Sequence, residues 1–181
     1  MKLKGPLIAA AWLIAAGAAQ AQSVSVVASH TDALLNESFS VDIQGSGFVD
    51  QIFGGGYNIA FDPSVLQLEA IVIPPSWEFA TSPGTLDAAA GTVTDVFFNT
   101  FVAPVAGDFL TATLTFRAIG AGTSDITLSA SDSFPFGNEF GEAVAVTFNG
   151  GTVTAVPEPG AIGLMLAGLA RLGWGVRRRQ V

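Results

Sequence analysis

Between residues 22 and 156 the apolar side chains of this chain recur at every second position, and no stretch there shows a helical spacing. Phe39, Val41 and Ile43 alternate with Ser40, Asp42 and Gln44. Tyr57, Ile59 and Phe61 alternate with Asn58, Ala60 and Asp62. Leu110, Ala112, Leu114 and Phe116 alternate with Thr111, Thr113, Thr115 and Arg117. Successive side chains of a strand point to opposite faces, so this pattern describes strands with one face buried and one wet. Weaker strand signals, rich in Val, Thr and Phe, lie at 25–29, 65–72, 93–100, 124–130, 144–148 and 152–156. Turn signals separate them: Gly45-Ser46-Gly47, Asp62-Pro63-Ser64, Ser82-Pro83-Gly84, Gly120-Ala121-Gly122 and Asn149-Gly150-Gly151. Asn149-Gly150 predicts a tight hairpin between the last two strands. About nine short strands without an intervening helix predict an all-β, antiparallel sandwich. All 14 phenylalanines fall inside this region, enough bulk for a core that needs no disulfide in a chain without cysteine.

Both ends have a different character. Lys2 and Lys4 precede an apolar run over 7–18, and Ala19-Gln20-Ala21 follows as a small-x-small cleavage site, so 1–21 reads as a secretory signal helix. At the other end, residues 161–176 are apolar except for Arg171, and Arg177, Arg178 and Arg179 come next. As a helix this run is about 24 Å long, a short transmembrane span of a bilayer whose hydrocarbon core is ~30 Å. Arg171 sits near its end, where its charge can snorkel toward the same headgroups as the arginine cluster. The cluster places the preceding domain on the far side of the membrane. Pro157 and Pro159 stop the helix from running back into the domain.

Charge narrows the function. Residues 22–156 hold fourteen carboxylates against one base, Arg117. Such a surface repels phosphate backbones, which excludes a nucleic-acid partner. His30 has no cysteine or second histidine with which to hold zinc, and no Gly-x-Ser-x-Gly elbow accompanies it as part of a triad.

Pro157-Glu158-Pro159, followed by a short Gly/Ala/Leu-rich helix and a terminal Arg run, resembles the PEP-CTERM sorting tail of Gram-negative bacteria. The resemblance covers 156–181. It implies that an exosortase, a membrane-embedded transpeptidase-like enzyme, recognises the tail and cleaves near the motif. It also implies that the chain passes through the inner membrane to the cell surface or an extracellular polysaccharide matrix. A second resemblance spans 22–155. Tyr57-Asn58-Ile59-Ala60-Phe61-Asp62-Pro63-Ser64-Val65-Leu66, with Leu114-Thr115-Phe116-Arg117-Ala118 and Gly122-Thr123-Ser124-Asp125-Ile126, is similar to the strand, Asp-Pro turn and strand pattern of cohesin-type domains. Cohesins share a nine-stranded jelly-roll sandwich with a class of carbohydrate-binding modules, so a jelly roll is the fold this likeness implies. The matching residues are core and turn positions, which specify fold better than partner, and no dockerin-binding face maps onto them.

Two features remain as candidate contacts. Trp77, with Phe79 close by in Pro74-Pro75-Ser76-Trp77-Glu78-Phe79, is either a platform for an apolar sugar face or a plug closing one end of the sandwich. The densest acidic stretch holds Asp125, Asp132, Asn138, Glu139 and Glu142, oxygen donors of the kind calcium takes, though without EF-hand spacing. Together these observations predict an exported, exosortase-sorted, non-enzymatic module that binds carbohydrate or a surface protein. The competing readings are an acidic structural matrix protein without a single defined site, and a carboxylate-dependent glycoside hydrolase.

Overall fold

A computed structural model describes residues 22–158, 160 and 163. The signal helix expected over 1–21, Pro159, Arg171, Arg177, Arg178 and Arg179 lie outside the described residues, as does the helix expected over 161–176 apart from residue 163.

Twelve strands are present among the described residues: β1 (Ser23–Ala28), β2 (Asp32–Leu34), β3 (Ser38–Ala60), β4 (Leu66–Val72), β5 (Ala80–Ser82), β6 (Thr85–Asp87), β7 (Thr92–Asn99), β8 (Val105–Ala118), β9 (Gly122–Ala130), β10 (Gly137–Asn138), β11 (Thr147–Asn149) and β12 (Gly151–Val156). The long strand β3 organises them. Its first part pairs with β1 on one side and β8 on the other, and β4 extends that layer beyond β8. Its last part pairs with β7 and β9, and β12 and β2 continue the second layer beyond β9. The middle of β3 carries the chain from one layer to the other, with register shifts against β8 at Gly45/Phe48 and Phe48/Ile52. Gly47, at φ 73°, occupies the left-handed region within this crossing, where a side chain would be strained. The expected Gly45-Ser46-Gly47 turn is therefore a bulged crossing inside one continuous strand, and the two predicted strands on either side of it are a single element.

Two further expectations change. β11 pairs parallel with β1, whereas β12 pairs antiparallel with β9 and parallel with β2, so the sandwich is mixed rather than wholly antiparallel. Asn149-Gly150 joins strands in different layers and makes no hairpin. A Cβ at Gly150 would stand 2.8 Å from the Ile126 carbonyl oxygen, so glycine is needed there for close approach rather than for hairpin geometry. The strand expected at 144–148 shrinks to β11, with Val144 and Val146 packed against the core from a loop.

The alternating residues meet between the layers as the period-two pattern requires. Val41, Ile43, Leu114 and Phe116 line one inner face, and Tyr57, Ile59, Val93, Phe98, Ile126 and Val153 the other, all of them buried. Phe61 meets Phe116 edge-on at 5.2 Å. One polar relay crosses this core. Thr111 Oγ1 donates to the Ile43 carbonyl at 2.8 Å, so the Tyr57 hydroxyl donates to Thr111 Oγ1 at 2.9 Å. Burial drives the Tyr57 pKa well above the ordinary phenol value, and the Thr111 bond opposes this only in part. The buried apolar core lies wholly within residues 24–155.

Candidate binding surface

The sandwich has two unlike ends. At one end the chain leaves the domain: Leu35 N–H donates to the Val156 carbonyl, and Asn36 N–H to that of Ala118. Arg117, beside this end, donates to Glu69 at 2.7 Å. The other end is formed by the crossing of β3, the turn between β7 and β8, the segment before β5, and β10. It collects the aromatic residues that the alternation does not bury.

Trp77 roots this end. It is only 3% exposed, its indole N–H donates to the Leu110 carbonyl at 3.0 Å, and its ring lies 4.4 Å from Phe98 and 5.7 Å from Phe109. It is the plug of the two alternatives. A ring closed in on both sides has no face for a sugar, so Trp77 is corrected from candidate contact to core residue. Phe79, two residues on, faces outward at 60% exposure.

Between them Glu78 does what the sequence did not signal. Its carboxylate accepts the Thr100 hydroxyl at 2.6 Å and the N–H groups of Phe101 and Val102 at 2.8 and 3.0 Å. These bonds, led by the Thr100 hydroxyl, lower its pKa to about 2. The ionised carboxylate thus pins the turn after β7. The turn presents Phe101 at 61% and Val102 at 83% exposure, with Phe101 edge-on to Phe79 at 4.2 Å and an interplanar angle of 85°. Val49 and Phe140 are also exposed at this end. Large apolar side chains gathered on one surface of a soluble domain mark a contact site more often than scattered ones do.

Beside the pair runs an open cleft of about 460 Å³, lined among others by Phe53, Ala80, Phe97, Asn99 and Phe134. The run Gly54-Gly55-Gly56 makes it possible. A Cβ on Gly55 would enter the Phe136 ring at 2.6 Å, and one on Gly56 would meet Phe134 Cβ at 2.7 Å. With no side chains on the strand, Phe136 drops into the core and Phe134 stacks on Phe97 at 4.1 Å above it.

The acidic candidates do not converge. Asp125 lies on β9 and accepts the Thr152 hydroxyl at 2.8 Å, while Asp132 is exposed in the loop after β9. Asn138 Oδ1 accepts the N–H groups of Phe140 and Glu142, and Glu139 accepts that of Gln51. Asn138 folds its own backbone into an Asx turn, while Glu139 ties the loop to β3 and Asp125 bonds across to β12, so these oxygens point at no shared centre. Among the described residues no three His, Cys, Asp or Glu side chains are grouped to hold a metal ion. His30 packs on Phe39, 3.6 Å from Glu37, away from any cleft named above. Of the expected sorting motif, Pro157 and Glu158 are described and exposed just beyond β12.

The two-layer β-sandwich is similar in fold to solved cohesin modules. The similarity is measurable in three solved structures. The cohesin module of a family 33 glycoside hydrolase from Clostridium perfringens aligns with TM-score 0.62 at 10% identity, covering 76% of this chain and 98% of that one. A non-cellulosomal cohesin from the archaeon Archaeoglobus fulgidus aligns with TM-score 0.61 at 14% identity, covering 79% and 96%. The cohesin in a type I cohesin–dockerin complex from Clostridium thermocellum aligns with TM-score 0.61 at 12% identity, covering 74% and 99%. At these identities the likeness defines the fold alone. No protein-family model matches the sequence, and no curated protein matches it.

Proposed function

We propose that the chain is an exported, non-enzymatic binding module that holds a protein partner at the cell surface or within extracellular polysaccharide, after sorting by an exosortase through Pro157-Glu158-Pro159. The observation that carries this reading is the exposed Phe79–Phe101–Val102 surface, which a dedicated carboxylate holds in place. A domain that commits an ionised carboxylate to the hydroxyl and two backbone amides of a turn displaying Phe101 and Val102 is organised for contact. The cohesin-like fold supports a protein rather than a sugar as that contact, since one similar structure is a complex with a dockerin. Ring geometry supports the same choice. Phe79 and Phe101 stand at 85° to each other, so the two rings offer no common flat face on which a sugar could lie. Such a corner suits an interdigitating side chain. The leader, neck and basic terminus of the sequence support export and sorting.

The test is retention. Immobilised residues 22–156 are exposed to protein and polysaccharide from the producer's extracellular matrix, with parallel samples treated by protease or by glycosidases. A protein partner predicts one retained species, saturating at a fixed stoichiometry and lost after protease treatment. Retention of polysaccharide alone would establish the carbohydrate reading instead. Release of reducing ends from the polysaccharide would show a hydrolase and defeat the non-enzymatic reading.

A further inference from the structure

We propose that the aromatic end docks a protein segment carrying an apolar anchor flanked by Lys or Arg; this rests on the protein-binding reading above and specifies its site and partner chemistry. Three observations converge on it. The first is shape: the Phe79–Phe101 corner and the cleft beside Phe97 and Phe134 are adjacent, because Phe79 N–H donates to the carbonyl of Asn99 and Ala80 pairs with that residue in β5 and β7. An inserted side chain would lie along the corner with its neighbours over the glycine run.

The second is charge. Among the described residues the ionisable side chains around this end are all carboxylates: Glu78 against the turn after β7, Asp108 against Gly47, Glu139 against Gln51, with Asp50 and Glu142 beside them. The one base of the domain, Arg117, is at the opposite end and engaged by Glu69. Rim charges of one sign select partners of the other and speed their encounter. A second copy of this domain would bring the same acids to the interface, so self-association is disfavoured by the same rule.

The third is orientation. The chain leaves the sandwich at Val156, hydrogen-bonded to the end that holds Arg117, whereas the aromatic residues crowd the end where Ser23 pairs with Ser46. A tether attached after Val156 therefore leaves the aromatic end pointing away from the surface that holds it. Glu78 is the positioning residue in this scheme, because its carboxylate fixes the turn without itself being the anchor's pocket.

The experiment is a selection of displayed random short peptides against immobilised residues 22–156, followed by titration of the enriched peptides. The comparison protein is the double variant Phe79→Ser/Phe101→Ser, whose substitutions are at exposed positions. Its folding is checked by the emission of Trp77, which is the single tryptophan of that segment. Enriched peptides should share an aromatic or large aliphatic residue beside Lys or Arg. They should bind the double variant about tenfold or more weakly, and lose affinity several-fold between about 0.05 and 0.5 M salt. No enrichment, enriched peptides without basic residues, or equal binding to both proteins would overturn the proposal. The two readings fail separately. If wild type and double variant retain the same matrix protein equally, the docking site is wrong and the module stands. If wild type retains nothing, the module reading itself falls.

Discussion

Replacing Trp77 by alanine separates a structural tryptophan from a ligand-binding one. The indole is 3% exposed, wedged between Phe98 and Phe109, with its N–H on the Leu110 carbonyl. A tryptophan that buries about 200 Å² contributes about 5 kcal/mol at ~25 cal/mol per Å². Residual burial in the unfolded chain reduces this toward about 3–4 kcal/mol. Loss of the N–H leaves a partly buried carbonyl without its indole donor and adds about 1 kcal/mol. The expected loss for Trp77→Ala is therefore about 4–5 kcal/mol, at the upper end of aromatic-to-alanine substitutions in cores. Against a domain stability of about 5–15 kcal/mol this takes a large share. Trp77→Phe keeps most of the ring contacts and is expected to lose about half as much. Urea unfolding of residues 22–156 followed by far-UV circular dichroism, which does not depend on the missing fluorophore, measures both. A loss below about 1 kcal/mol for Trp77→Ala would refute the plug assignment.

Two other outcomes follow from named bonds and a third from the tail motif. Tyr57→Phe should cost about 1 kcal/mol, because Thr111 keeps its bond to Ile43; Thr111→Val strands the Tyr57 hydroxyl in the core and should cost about 2 kcal/mol or more, both read by chemical denaturation. Glu78 is held below its unfolded pKa, so the order it imposes on the turn is complete above the ordinary Glu range and is lost as pH falls from about 4.5 toward about 2. Hydrogen exchange at the Phe101 and Val102 amides, corrected for intrinsic rates, should therefore quicken across that window in the wild type, while Glu78→Ala, which removes the acceptor, should exchange fast at every pH. Changing Pro157, Glu158 and Pro159 together to alanine should leave the exported protein with its tail attached, as intact mass would show; unchanged processing would remove the sorting assignment.

The sequence showed most of the sandwich wherever one face of a strand is buried along its whole length. The stretches at 39–44, 57–61 and 110–117 fall where β3 and β8 run, because alternation is the direct image of a two-layer core. The strands β2, β5, β6 and β10 escaped notice because two or three residues carry no period. The crossing within β3 was hidden by glycines that mark a turn in most contexts and a bulge in this one. At the binding surface, Trp77 and Phe79 were visible as aromatic residues in a proline-bounded segment. Their opposite fates depend on which one finds an acceptor for a polar edge, and the Leu110 carbonyl is 33 residues away. Phe101, Val102 and Glu78 were missed for the same reason. Phe-Val after a predicted strand reads as a continuation of it, and only the fold brings Glu78 back across 23 residues to turn that segment outward. The acidic stretch at 125–142 misled in the other direction: its density in sequence dissolves in space, since Asp125 sits on a strand while Asn138 and Glu139 are taken up by backbone amides.

The most direct measurement is hydrogen–deuterium exchange of residues 22–156 alone and with the matrix protein they retain. The account predicts protection concentrated at 76–80, 97–102 and 134–141, with the strands of the β4–β8 face unchanged. Protection confined to that opposite face, with the aromatic end exchanging as freely as in the unbound domain, would contradict it.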